Sequence, residues 1–230
     1  MTVILLRHGR STSNTAHTLA GRTEGVELDE KGQGQARALV ERVKSLPIKA
    51  VVRSPLLRCR LTVEPLAAEL GLEPVIDERL AEVDYGQWTG LALKDLMKEP
   101  LWSVVQHQPS AAVFPGGEGL AQVQARAVAA VREHDRRLAD EHGHDVLWIA
   151  CTHGDVIKAV VADALGTHLD SFQRITADPA SMSVIRYTAI RPFVVHVNHT
   201  GAELASALSA PPPAADDTST DDAVVGGSTD

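Results

Sequence analysis

Apolar residues are distributed along the chain in two rhythms. Val3-Ile4-Leu5-Leu6, Ile48–Arg53 (IKAVVR) and Asp145–Cys151 (DVLWIAC) are short, almost unbroken apolar runs. Such runs read as strands buried on both faces. Between them apolar positions recur at helical spacing. Ala36, Leu39, Val40 and Val43 follow a plausible N-cap at Asp29 and stop before Pro47. Leu56, Leu57, Leu61, Leu66 and Leu70 start near Pro55 and end at Gly71, with Pro65 expected to kink or split the segment. Val123, Ala127, Ala130, Val131 and Leu138 form the buried stripe of a long helix over Glu118–Glu141, and Val156, Val160, Val161 and Leu165 that of a further helix. A brief strand is expected around Pro74–Ile76. Ser183–Thr188 and Phe193–Asn198 alternate like an antiparallel pair at a sheet edge. Residues 89–116 hold only short helical patches and read as a cap or lid more than a core layer. The pattern predicts a three-layer α/β sandwich with a mostly parallel central sheet, an antiparallel edge, helices on both faces and a short cap insertion at about 87–117.

Two of the buried runs end alike. The first breaks into Arg7-His8-Gly9 and the third into Thr152-His153-Gly154. Open α/β sheets bind ligands beyond the carboxyl ends of their strands. Arginine beside histidine there suits a phosphate, whose oxygens match the guanidinium fork while the imidazole can attack phosphorus. Arg58, in the first helical turn after the second strand, adds a cation where the helix dipole disfavours one unless an anion faces it.

Composition narrows the setting. The chain has 230 residues, 44% hydrophobic and 23% charged, enough for one large domain or two small ones with a substantial core. Five of its eight net negative charges fall on 209–230, leaving −3 on the rest, so no basic patch recommends nucleic acid. That last stretch is rich in Pro, Asp, Thr, Ser and Gly and reads as a disordered acidic tail behind a domain over 1–208. No apolar run is long enough to span a membrane and no signal region opens the chain. Cys59 and Cys151, distant and without metal-like spacing, read as small buried fillers and make a reducing cytoplasm the default.

Five segments taken in order resemble the histidine phosphatase superfamily, also called phosphoglycerate mutase-like, over about residues 1–200. They are Leu6-Arg7-His8-Gly9 with Asn14, Ser54–Thr62 (SPLLRCRLT), Leu80–Gly90 (LAEVDYGQWTG), Phe114-Pro115-Gly116-Gly117-Glu118 and Thr152-His153-Gly154. The resemblance implies that His8 is the nucleophile and forms a phosphohistidine. It implies further that Arg7, Arg58 and His153 grip the phosphoryl oxygens with Asn14 and the Gly154 backbone assisting, and that Glu82 gives a proton to the leaving oxygen. Elementary chemistry agrees: phosphoryl transfer needs in-line positioning and positive charge around the equatorial oxygens, and an alkoxide leaves only with an acid nearby. No metal and no cofactor are implied. The expected substrate is a small phosphomonoester, with hydrolysis as the reaction. A phosphomutase of the phosphoglycerate mutase type is the alternative, and a catalytically silent phospho-ligand binding protein a third reading. A homodimer is left open.

The chain departs from the family pattern at Arg10, where Glu or Gln is frequent, at Glu24-Gly25, where a lone Asp is usual, and at Gly119, where Ser is frequent. Arg10, Gly21, Arg22 and Trp88 are the candidate substrate-pocket residues, with Trp88 and Trp102 equally able to anchor the cap. Asp84 rivals Glu82 as the proton donor. His142/His144 and His196/His199 could pair on a metal, but no carboxylate or thiol completes a site, and they read as surface histidines.

Overall fold

The structure, a computed structural model, describes residues 1–201; the acidic tail expected at 209–230 and the end of the expected 1–208 domain lie outside the described residues. Among the described residues six strands form one sheet: β1 (Thr2–Arg7), β2 (Ile48–Arg53), β3 (Val75–Ile76), β4 (Leu147–Thr152), β5 (Met182–Tyr187) and β6 (Pro192–His199). Their spatial order is β3-β2-β4-β1-β5-β6. The first four in that order run parallel, while β5 and β6 are antiparallel and close one edge.

Successive strand residues face opposite sides, and both sides are covered. Val3, Leu5, Val52, Trp148 and Ala150 belong to one core cluster, and Ile4, Leu6, Val51, Ile149 and Cys151 to the other. Four short-to-medium helices, α1 (Thr12–Thr15), α2 (Glu30–Val43), α3 (Leu57–Leu70) and α4 (Leu93–Leu96), precede α5 (Pro100–His107), α6 (Leu120–His142) and α7 (Gly154–Leu165). Leu39, Val43, Val63 and Leu66 of α2 and α3 cover the second cluster, and residues of α6 and α7 the first. Among the described residues no helix is long and apolar enough to cross a membrane.

Two expectations are corrected by packing. Pro65 neither splits nor ends its helix: α3 runs unbroken from Leu57 to Leu70 and closes at Gly71 in the left-handed conformation. A proline inside a helix costs about 3 kcal/mol, whereas burying a Val or Leu side chain gains roughly 1.5–3 kcal/mol. Val63 and Leu66, both fully buried beside Pro65, therefore outweigh the lost bond. The stretch 87–117 is likewise more than a lid. Trp88, Leu96, Trp102, Val105 and Phe114 are buried and join the main cluster, with Trp88 stacked on Trp102 and edge-on to Phe114.

The loop leaving β1 is held between two helices. Gly9 N–H donates to Thr62 Oγ1 on α3 at 2.9 Å, and the Arg10 carbonyl accepts from Asp29 N–H at 3.0 Å. Asp29 caps α2 by accepting from Gly32 N–H at 2.7 Å. Gly32 lies so close to this loop that a Cβ there would overlap the Arg10 carbonyl oxygen. Gly32→Ala should therefore displace the loop. We expect a stability loss of roughly 1–3 kcal/mol, as for other overpacked sites, read by thermal unfolding, with reduced turnover because His8 sits at the head of the loop.

Candidate active site

Parallel pairing aligns Arg7 with Thr152 across β1 and β4, and Arg53 with Cys151 across β2 and β4. The residues after each strand therefore emerge side by side: His8, Ser54 and His153. The two imidazoles are 5.1 Å apart between ring centroids, and His8 N–H donates to the Thr152 carbonyl at 3.1 Å. Arg7, His8, Asn14, Gly21, Arg58 and Glu82 are among the residues lining one cleft.

Hydrogen bonds set the protonation of both rings. His8 Nδ1 lies 2.7 Å from the Gly9 carbonyl, which can only accept, so Nδ1 carries the proton. Nε2 is left as a lone pair, 3.3 Å from the Arg58 Nε–H that donates to it. For His153 the order is reversed. Nδ1 accepts from Arg58 Nη2 at 3.1 Å, so Nε2–H donates to Ser54 Oγ at 2.7 Å. Burial pushes both imidazole pKa values well below the usual histidine range, and the Arg58 charge pushes them further. Both rings are neutral at pH 7.

Two guanidinium groups face this pair from buried positions. Arg58 donates to the Gly21 carbonyl at 2.8 Å through Nη2, while its buried Nη1 has no partner among the described residues. Arg7 donates to the Ala177 carbonyl at 2.6 Å. Burial lowers both arginine pKa values, so an incoming anion would meet poorly solvated charge. Asn14 Oδ1 is taken by the Ser11 N–H and hydroxyl at 2.9 and 2.8 Å, which leaves its Nδ2 as the donor for a ligand.

Glu82 is the acidic member. Its Oε1 accepts from Val83 N–H at 2.9 Å, and Oε2 lies 3.9 Å from His153 Nδ1. That separation is not an ion pair, because the imidazole is neutral. Burial, assisted by the charge of Asp155, raises the Glu82 pKa to about 7 against the opposing pull of Arg58 and Arg7. The carboxyl thus holds its proton through mildly acid pH and releases it near neutrality.

Residues outside the expected set hold these groups in place. Arg126 on α6 donates to the carbonyls of Arg79 and Ala81 at 2.7 and 2.8 Å and to that of Glu82 at 3.2 Å, and it forks onto Glu118. Gly117, beside Glu118, approaches the same loop so closely that a Cβ would overlap the Asp84 carbonyl oxygen. Behind the cleft, Tyr85 donates to the buried Asp155 at 2.8 Å, and Lys158 lies 3.6 Å from that carboxylate. Asp155 lies in the first turn of α7, and an acid there directly after His-Gly was the available signal for it.

The expected pocket residues separate. Gly21 lines the cleft. Arg10 is paired with Asp29 at 2.6 Å. Arg22 bridges the Glu82 carbonyl and Glu118, each at 2.9 Å. Trp88 is in the aromatic cluster described above, and Asp84 turns back on its own loop, accepting from Gly86 N–H at 3.0 Å. Gly154 is buried at the head of α7. Cys59 and Cys151 are free buried thiols, and Cys59 Sγ lies 3.6 Å from His153 Nε2. Among the described residues no group of three or more His, Cys, Asp or Glu is arranged to hold a metal ion.

Comparison with known proteins places this geometry. Residues 3–200 match the family described as histidine phosphatase superfamily, branch 1. Phosphoserine phosphatase 1 of Hydrogenobacter thermophilus is 29% identical, covering 86% of this chain and 92% of its own. A probable phosphoglycerate mutase of Photorhabdus laumondii is 31% identical over 80% of this chain and 84% of its own. Among solved structures, a mycobacterial glucosyl-3-phosphoglycerate phosphatase complexed with VO3 superposes with a TM-score of 0.78 at 26% identity, covering 86% of this chain and 98% of that one.

Ser54 is a test of the tautomer assignment. Ser54→Ala removes the acceptor of His153 Nε2–H, and we expect turnover to fall about tenfold, the equivalent of one ordinary buried hydrogen bond. Ser54→Thr, which keeps the hydroxyl, should retain most activity. Nitrogen-15 NMR of His153 should report a changed tautomer balance in the alanine variant alone.

Proposed function

The chain belongs to the histidine phosphatase superfamily, and from that membership we propose that it hydrolyses a small phosphomonoester through a phosphohistidine at His8. The observation that carries this reading is the unprotonated Nε2 of His8, buried and bracketed by Arg58 and Arg7.

The phosphoryl group sits against the guanidinium groups of Arg7 and Arg58, with Asn14 Nδ2, the Gly154 N–H and His153 within the same shell. His8 Nε2 attacks phosphorus in line with the ester oxygen. The N–P bond forms as the P–O bond breaks, and the imidazole keeps its Nδ1 proton on the Gly9 carbonyl, which stabilises the charge the ring acquires. The departing alkoxide takes its proton from Glu82. A water then attacks the phosphohistidine, the Glu82 carboxylate accepts that water's proton, and orthophosphate leaves with both histidine and acid restored. No metal enters any step. The two buried free thiols fit work in a reducing compartment, the cytoplasm.

A mutase reading is favoured by the 31% identical relative named as a phosphoglycerate mutase. Against it, Arg10 and Arg22, the cations that could hold a bisphosphate, are committed to Asp29 and Glu118. Interconversion of 2- and 3-phosphoglycerate with little free phosphate released would decide for the mutase.

Brief incubation with labelled substrate and an acid-free quench should leave phosphate on His8, and His8→Ala should abolish turnover. Label on a serine or carboxylate, or normal turnover in the variant, refutes the mechanism.

Glu82 sets the pH profile. Its protonated form is depleted as pH rises through about 7, so kcat/KM for an alkyl phosphate should decline above that pH. His8 is already neutral well below 6.5 and adds no acid limb there. Glu82→Gln should lower single-turnover release of an alkyl alcohol roughly 10²–10⁴-fold and remove the alkaline limb. Release of p-nitrophenolate, which leaves without a proton, should fall much less. The same selective pattern in Asp84→Asn would transfer the acid role to Asp84.

A further inference from the structure

Among the described residues, the cleft lining beyond the phosphoryl position carries no charged side chain. Ser13 and Thr18 are polar residues of that lining, and Leu19, Ala20 and Leu93 are apolar ones. The arginines nearest by sequence are engaged elsewhere. Arg10 shares Asp29 Oδ2 with the Thr15 hydroxyl, both at 2.6 Å. Arg22 is held by the Glu82 carbonyl and Glu118. Lys94 and His17, neighbours of Leu93 and Thr18, are exposed and lie outside the lining. Residues 202–230 contain no lysine, arginine or histidine, so no cation reaches the cleft from there. Once the phosphoryl group occupies Arg7 and Arg58, a second anionic group on the substrate would meet no further cationic side chain in the cleft lining. A substrate ammonium fares no better, because the carboxyl in the lining is that of Glu82, which the proposed reaction engages at the leaving oxygen.

We infer that the preferred substrate is the phosphomonoester of an uncharged alcohol, a polyol or sugar whose hydroxyls meet Ser13 and Thr18 and whose carbon face meets Leu19, Ala20 and Leu93. This rests on the phosphatase reading. It separates the chain from the activities named for the Hydrogenobacter and Photorhabdus relatives, since phosphoserine and phosphoglycerate both present a carboxylate near the phosphate. An unpaired carboxylate brought into a partly closed cleft is desolvated without compensation.

Glycerol 3-phosphate and 3-phosphoglycerate make the test, because both are primary alkyl phosphates and they differ at one carbon, hydroxymethyl against carboxylate. With the full chain, kcat/KM should favour glycerol 3-phosphate by about tenfold or more, equivalent to about 1.4 kcal/mol, and O-phosphoserine should rank with 3-phosphoglycerate. Ser13→Lys, which places a cation in the lining, should shift the ratio toward 3-phosphoglycerate by about threefold or more. p-Nitrophenyl phosphate, with His8→Ala as blank, monitors the underlying chemistry. If none of the esters is hydrolysed, the phosphatase reading fails and this inference with it. If the nitrophenyl ester is hydrolysed while 3-phosphoglycerate or phosphoserine is used as well as glycerol 3-phosphate, the inference alone is overturned. A ratio unmoved by Ser13→Lys also overturns it, because charge would then not be what the cleft discriminates.

Discussion

The register between β1 and β4 is the constraint from which the site follows. Pairing Arg7 with Thr152 sets the next residue of each strand side by side. In a parallel pair the register cannot slip by one residue without turning every side chain to the opposite face of the sheet. Here that would exchange the two core clusters, moving Val3 and Leu5 to the side that now holds Ile4 and Leu6. Two doubly covered faces therefore hold the two imidazoles at contact distance. Hydrophobic burial, which is not directional, ends up enforcing a directional arrangement of nitrogen atoms.

Within that arrangement one arginine specifies both histidines. Arg58 can only donate, and it meets His8 at Nε2 and His153 at Nδ1. Each ring is then obliged to carry its proton on the other nitrogen, and each finds an acceptor there, the Gly9 carbonyl for one and Ser54 for the other. The nucleophile's lone pair is thus selected by geometry before any substrate arrives. Glu82 is placed by a separate set of bonds, from Arg126, Arg22 and Glu118, on a loop that those groups clamp from outside the cleft. The base-like and acid-like members of the site are therefore supported independently.

Much of this was legible in the sequence because the signals were local. Unbroken apolar runs ending in His-Gly located β1 and β4, and the IKAVVR run matched β2 residue for residue. Asp29 as cap and Gly71 as terminator were readable from single residues. What escaped depended on contacts between distant segments. The 87–117 stretch looked like a lid because its apolar residues are scattered, but Trp88, Trp102 and Phe114 converge only in the fold. The commitment of Arg10 to Asp29 and of Arg22 to Glu118 was hidden for the same reason: a cation near a site in sequence need not face it. The burial of Asp155 and Lys158 carried no signal of its own, because Asp155 meets Tyr85 only once α7 packs against the loop that holds that tyrosine.

Arg7 and Arg58 are 1% and 2% exposed, and for Arg7 burial outweighs the attraction of Glu82, Asp178 and Asp155. The folded chain therefore carries an electrostatic deficit that an anion cancels. Under the proposed reaction its product, orthophosphate, is the smallest such anion, and it would bind the folded form and not the unfolded one. Each tenfold rise in its concentration above the dissociation constant then deepens the native state by about 1.4 kcal/mol. Inhibition by product and resistance to unfolding would then be two readings of one binding curve, with the chain most durable where phosphate is most abundant and turnover slowest.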